Sequence, residues 1–212
     1  MNKTHYYGVY ENKGNLFTKS LVPGSEFGEK TIKENGTEYR QWDPFRSKLS
    51  AAIKKNLKNY PFRDNTKILY LGASFGNTVS FLSDICFNGK IFAVEFAMKP
   101  FASLIHLSER RKNIFPIMED ASFPEKYKIF IEDPDVIYQD IAQRDQVTIF
   151  LNNFNLFSSA KFGFLFLKTR AIDAVTEPEK VMREQIRKIN NVQEILPLNP
   201  FERDHYLIVV KR

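Results

Sequence analysis

The chain has 212 residues, enough to bury one substantial core, and its 43% hydrophobic and 26% charged content is that of an ordinary water-soluble globular protein. Lys and Arg number 31 against 25 Asp and Glu, a formal charge of +6 that tilts the expected partners toward polyanions. The lone Cys86 excludes an intramolecular disulfide or a thiolate zinc cluster and fits a reducing, cytoplasmic setting; three scattered histidines suggest no metal site, and no apolar run approaches the roughly 20 residues of a membrane span.

No signal peptide is read at the start of the chain, and there is no internal repeat or low-complexity tract. Aromatic and polar residues alternate around Tyr6, Tyr7, Val9 and Tyr10, turn at Asn12-Lys13-Gly14-Asn15, and resume with Leu16 and Phe17, the pattern of a hairpin. A second turn, Lys33-Glu34-Asn35-Gly36, leads to Trp42, so residues 1–42 read as a small antiparallel β appendage to a domain spanning 43–212. Asp43-Pro44 reads as the start of a helix whose apolar stripe is Leu49, Ala52, Ile53 and Leu57. Arg40, Arg46, Lys48, Lys54, Lys55 and Lys58 crowd this region; most fit a solvated face, and Arg46 and Lys48 are the candidates for phosphate contact.

From Lys67 onward strands and helices alternate, the signature of a doubly wound parallel sheet. Strands are expected at 67–71, 91–95, 114–118, 135–139 and 161–168, and helices at 77–86, 99–111, 145–157 and 177–190, the last with a capped start at Thr176-Glu177-Pro178. Residues 192–198 and 205–211 then follow as two strands with no helix between them, so one of them runs antiparallel. Seven strands with one antiparallel member near the edge make the fold class α/β, in the Rossmann-like form of S-adenosylmethionine-dependent methyltransferases.

The turn after the first of these strands, Gly72-Ala73-Ser74-Phe75-Gly76-Asn77-Thr78, is the place where chemistry is expected. Gly72 and Gly76 bracket it, and the amides at the start of the following helix form a cradle for a polar or anionic group. It lacks the middle glycine with which dinucleotide sites approach a pyrophosphate, while Glu95, 23 residues past Gly72, ends the next strand where an acid binds ribose hydroxyls. A nucleoside without a pyrophosphate and with a zwitterionic tail describes S-adenosylmethionine. Polar residues recur at the other strand ends: Asp120 beside the small Ala121 suits adenine, and Asp140 with Gln143 suits a positively charged tail. Lys168 ends the fifth strand, and His205 opens the last one.

Asp43-Pro44-Phe45-Arg46-Ser47-Lys48-Leu49, Leu69-Tyr70-Leu71-Gly72, the run from Val79 to Ile85, Ala93-Val94-Glu95-Phe96, Glu119-Asp120-Ala121, Asp140-Ile141-Ala142-Gln143 and Pro200-Phe201-Glu202-Arg203-Asp204-His205 together resemble fibrillarin, across nearly the whole chain. The resemblance is to the compact archaeal type, and it implies 2′-O-methylation of ribose in ribosomal and transfer RNA within a box C/D ribonucleoprotein. The partners it implies are guide RNA and substrate RNA, a Nop-domain scaffold protein and a kink-turn-binding protein. Carried over by position, it implies a donor site at Gly72, Asn77, Thr78, Glu95, Phe96, Asp120, Ala121, Asp140 and Gln143. The catalytic set it implies is Lys48, Asp140, Lys168 and His205. The turn reads Ser74-Phe75-Gly76-Asn77-Thr78 where the family usually has Ala-Ser-Gly-Thr-Thr. Two other readings stand beside this one: a subunit that keeps the fold for assembly without catalysis, motivated by Phe75 and Asn77, and a nicotinamide-dependent oxidoreductase, disfavoured by the missing glycine.

Overall fold

A computed structural model describes residues 1–212. The N-terminal segment forms β1 (Asn2–Lys3), β2 (Val9–Asn12), β3 (Asn15–Lys19), β4 (Thr31–Glu34) and β5 (Thr37–Gln41), one antiparallel sheet in the order β1-β2-β3-β5-β4. Both expected turns close two-residue hairpins. Lys13 and Gly14 take φ of 49° and 78°, Asn35 and Gly36 49° and 76°, the left-handed pairs that match the twist of the flanking strands.

The next elements are α1 (Lys48–Lys54), β6 (Lys67–Leu71), α2 (Asn77–Ile85), β7 (Lys90–Val94), α3 (Met98–Arg110) and β8 (Ile114–Ile117). The chain continues through α4 (Pro124–Tyr127), β9 (Val136–Gln139), α5 (Gln146–Leu156), β10 (Phe162–Lys168), α6 (Thr169–Ile172), α7 (Pro178–Ile186), β11 (Val192–Pro197) and β12 (His205–Lys211). Strands β6 to β12 form one sheet in the order β11-β12-β10-β9-β6-β7-β8, in which β12 alone opposes its neighbours. Side chains of β6 alternate between the two cores. Ile68 and Tyr70 face one with α2, and Leu69 and Leu71 the other with α5, which is why the strand reads as an unbroken apolar run.

Three local expectations are corrected. The helix expected at Asp43-Pro44 begins at Lys48, because the Asp43 carboxylate accepts the Phe45 amide at 2.9 Å to close a turn and Ser47 is extended. Thr176 does not cap α7; its hydroxyl donates to Asp173, Pro178 is the first helical residue, and the helix stops at Ile186 rather than 190. Arg40 is not on a solvated face; it is fully buried, with its guanidinium against Glu29, Ser80 and Asp84.

Arg40 and Arg111 both converge on Asp84 of α2, at 2.8 Å and 2.7 Å. Asp84 also accepts the Thr18 hydroxyl and the Leu21 amide, Glu29 takes the far side of Arg40, and Glu26 binds Arg111. Every charge in this buried knot has an opposite partner, the condition under which charges persist in an interior. Tyr6, Val9, Leu16 and Trp42 join the same apolar cluster as Val79 and Leu82, so the N-terminal sheet and α2 share a core.

Candidate active site

The parallel strands all end on one side, and the site is built there. Gly72 follows β6 with φ +78°. A Cβ on it would lie 2.6 Å from Ile141 Cγ2 and 2.9 Å from the Asp140 carbonyl, so glycine lets the β6 turn and the Asp140 loop touch. Glu95 follows β7 and is buried. Its two oxygens accept the amides of Ser74 and Ala97, each at 2.8 Å, which fixes the carboxylate while leaving a lone pair on each oxygen. Asp120 accepts the Ser122 amide at 2.8 Å, holding the loop that presents Ala121.

A cavity of about 320 Å³ runs between these ends. Seven of the nine expected donor-site residues line it: Gly72, Glu95, Phe96, Asp120, Ala121, Asp140 and Gln143, together with Lys168. The other two side chains turn away. Asn77 donates to the Arg46 carbonyl at 2.7 Å, and the Thr78 hydroxyl meets that of Ser47 at 3.0 Å, so both tie the approach to α1 onto the start of α2. A larger cavity of about 750 Å³ opens at the far end of α2, but its only carboxylate is Asp84, already saturated by arginine, and it contains none of the expected residues.

At one edge of the smaller cavity Asp140 joins two lysines. Its Oδ1 lies 2.8 Å from Lys168 Nζ and its Oδ2 3.1 Å from Lys48 Nζ, while Lys168 Nζ also donates to the Asp140 carbonyl at 3.2 Å. The antiparallel β12 supplies the fourth member, because pairing its first residue, His205, directly with Lys168, the last of β10, sets the two side chains on one face. His205 Nδ1 is 2.8 Å from the Arg203 carbonyl, a contact that only a protonated Nδ1 makes, so the lone pair is on Nε2, which bonds nothing within the chain. Lys48, Asp140, Lys168 and His205 are thus brought together from α1, the loop directly after β9, β10 and β12.

Electrostatics sort these groups. Burial works to raise the Asp140 carboxyl, but the Lys48 and Lys168 ammonium groups outweigh it and hold its pKa below the ordinary value. Burial works to lower Lys48, yet the charges of Asp140 and Glu202 outweigh it and keep the proton on. For His205 burial itself dominates and, with Lys48 and Lys168 against the Arg203 hydrogen bond and Glu202, leaves the imidazole below its usual pKa and hence neutral at pH 7.

Two contributors escaped the sequence reading. Glu202 lies 3.7 Å from Lys48 Nζ and 3.8 Å from His205 Nδ1; its place one turn ahead of the histidine was the available signal. Gln146, fully buried, accepts the Lys168 amide at 2.9 Å and donates to the Lys168 and Gln143 carbonyls, clamping β10 to the Asp140 loop. A glutamine at a helix start carries no such signal. Arg46, expected to meet RNA, is exposed and gives one nitrogen to the Phe27 carbonyl at 2.8 Å.

The fibrillarin family model matches residues 1–212. The chain belongs to the fibrillarin family. A fibrillarin-like rRNA/tRNA 2′-O-methyltransferase of Thermoplasma volcanium is 43% identical over 209 residues, 95% of this chain and 94% of that one. The crystal structure of Aeropyrum pernix fibrillarin with natively bound S-adenosyl-L-methionine is 38% identical, with a TM-score of 0.88 over 98% of this chain and 96% of that one. Fibrillarin in a fibrillarin/Nop5p complex is 40% identical, with a TM-score of 0.90 over 99% and 100% of the two chains. The seven-stranded sheet with its one antiparallel strand is therefore the fibrillarin fold in this chain, as is the N-terminal five-stranded sheet. No helix is long and apolar enough to cross a membrane.

Proposed function

We propose that this chain is an S-adenosylmethionine-dependent RNA 2′-O-methyltransferase, acting on ribosomal and transfer RNA as the catalytic subunit of a box C/D guide-RNA particle. In this reading residues 43–212 carry the chemistry and the 1–42 sheet braces them. The observation that carries it is the coincidence of one nucleoside-sized cavity with a lysine-aspartate-lysine-histidine cluster at its edge.

The residues present fit the donor. Glu95 suits the ribose hydroxyls, Asp120 and Ala121 an adenine, and Asp140 with Gln143 the charged tail, all on one wall system. When bound, S-adenosylmethionine supplies a methyl group on a positively charged sulfur. With that methyl group presented to the acceptor ribose oxygen, His205 Nε2 would take the hydroxyl proton and the sulfur would leave as a neutral thioether. Lys48 keeps its own proton, and Asp140 stays ionised between the two ammonium groups, so these three orient the acceptor and neutralise charge rather than take the proton. Arg46 and Lys48 meet phosphates, and sequence choice comes from guide pairing. The Nop5p complex of the relative supports a Nop-domain scaffold as the protein partner, with a kink-turn-binding protein alongside.

The test is methyl transfer in a reconstituted particle with a matched guide. Lys168→Ala should bind the donor and fail to transfer. Normal turnover by that variant, or no transfer by the unaltered protein with any guide, overturns the reading.

A further inference from the structure

One feature of the rim is unused by this mechanism. Phe45, in the turn three residues ahead of Lys48, is 64% exposed, and its ring meets that of Phe201 edge-on at 5.1 Å and 69°. Phe201 directly precedes Glu202, which touches both Lys48 and His205. The pair thus borders the Lys48–His205 side of the cluster, whereas the donor cavity reaches Asp140 and Lys168 but neither Lys48, His205 nor either phenylalanine.

The turn is held rigidly. Asp43 takes the Phe45 amide, Asn77 takes the Arg46 carbonyl, and the Leu198 carbonyl accepts the amides of Phe201 and Glu202. Each ring also has an exposed arginine close by in sequence, Arg46 and Arg203. A phenyl edge in water, pinned by its backbone and with an exposed arginine near it in sequence, is the composition of a surface that meets nucleic acid.

Which part of the RNA it meets follows from where the nucleophile lies. In a paired RNA strand the 2′-hydroxyls line a wide, shallow minor groove, where an apolar side chain meets ribose faces rather than the base edges that distinguish sequence. We propose that Phe45 and Phe201 form a shelf for the riboses flanking the nucleotide to be methylated, seating the acceptor strand in the same way whichever base it carries. A guided enzyme needs such a contact, because base readout at this position would veto targets that the guide selects. The proposal rests on the reading above and adds the acceptor-side contact to it.

The experiment uses the assembled guide particle. Phe45→p-benzoylphenylalanine, irradiated, should crosslink to the substrate strand beside the target nucleotide. Phe45→Ala should weaken acceptor binding about 5- to 30-fold, the worth of covering one phenyl face. The loss should be equal for A, C, G and U targets, with donor affinity unchanged. Phe45→Leu, which keeps an apolar contact with Phe201 and with a ribose, guards against a folding defect and should show a smaller loss than Phe45→Ala, while Phe45→Tyr restores binding. Wild-type acceptor affinity in both Ala and Leu variants, a loss confined to one target base, or a crosslink to the scaffold protein in place of RNA overturns the shelf. Transfer by the unaltered protein, measured in parallel, separates those results from failure of the parent reading.

Discussion

His205 offers the sharpest test of how the site works. Its Nδ1 proton is committed to the Arg203 carbonyl and its pKa lies below 6.5, chiefly through burial and then through the two lysines. At pH 7 such a group is mostly neutral, with Nε2 ready to accept a proton. Removing a general base costs about 10²- to 10⁴-fold in rate, or about 2.7–5.4 kcal/mol of barrier. His205→Gln keeps a donor for the Arg203 carbonyl and should lose that much in single-turnover methyl transfer. Donor affinity should hold within about twofold, because His205 does not line the donor cavity.

The pH profile carries the discrimination. Transfer by the unaltered protein should fall about tenfold per pH unit below the His205 pKa and be level above it. The glutamine variant should lose that acid limb. Lys48→Met should move the limb to higher pH, since it removes a positive neighbour that depresses the imidazole, whatever it does to the plateau rate. A glutamine variant that keeps the same limb, or that transfers at more than about a third of the normal rate, would refute the assignment of His205 as proton acceptor.

Asp84→Asn should destabilise the fold by about 3–5 kcal/mol in urea unfolding, because two fully buried arginines lose the carboxylate between them and keep only Glu29 and Glu26, while an amide NH₂ is set against donors that Asp84 now accepts; a loss under about 1 kcal/mol would mean the knot relaxes easily. Glu95→Gln forces an amide NH₂ against the Ser74 or Ala97 N–H, so S-adenosylmethionine affinity by calorimetry should drop at least about tenfold and the thermal midpoint should fall by a few degrees. Burial works to raise Glu29, but the Glu26 and Phe27 amides and Arg40 bring its pKa down to about 2 from an ordinary 4.5. That stabilisation, about 3 kcal/mol, is present above pH 4.5 and is lost as pH falls toward 2, so Glu29→Gln should flatten stability against pH in that window.

The parallel strands were legible because burial on both faces writes them as apolar runs closed by glycine or an acid. Observed ends differ from the expected ones by at most a single residue, as at 135–139 against Val136–Gln139. Four-residue helices such as Pro124–Tyr127 and Thr169–Ile172 make a single turn, and the pattern that would reveal them needs at least two. Arg40 read as surface charge because its partners, Glu29 and Asp84, are 11 and 44 positions away, and pairing at that range leaves no local trace. The cavity residues were readable as strand ends; the direction of the Asn77 and Thr78 side chains was not, since it depends on the packing of residues 46 and 47.

That packing explains how the chain accommodates Asn77 in its turn. The backbone amides at the start of α2 remain where a strand-turn-helix unit puts them, and the Asn77 carboxamide instead satisfies the Arg46 carbonyl two residues before Lys48. Ser47 and Thr78 add a second tie at 3.0 Å, while Arg40 and Asp84 anchor the far end of the same helix to the N-terminal sheet. α2 therefore positions both the donor turn and the lysine that faces the acceptor. Transfer in line demands that oxygen, carbon and sulfur stay within a few tenths of an ångström of alignment, and one rigid helix serving both sides meets that demand better than two independently anchored loops. On this view Asn77→Ala disturbs the acceptor side first. It should slow transfer through Lys48 while leaving donor affinity close to normal, and the reverse pattern would place the work of Asn77 in the donor cavity instead.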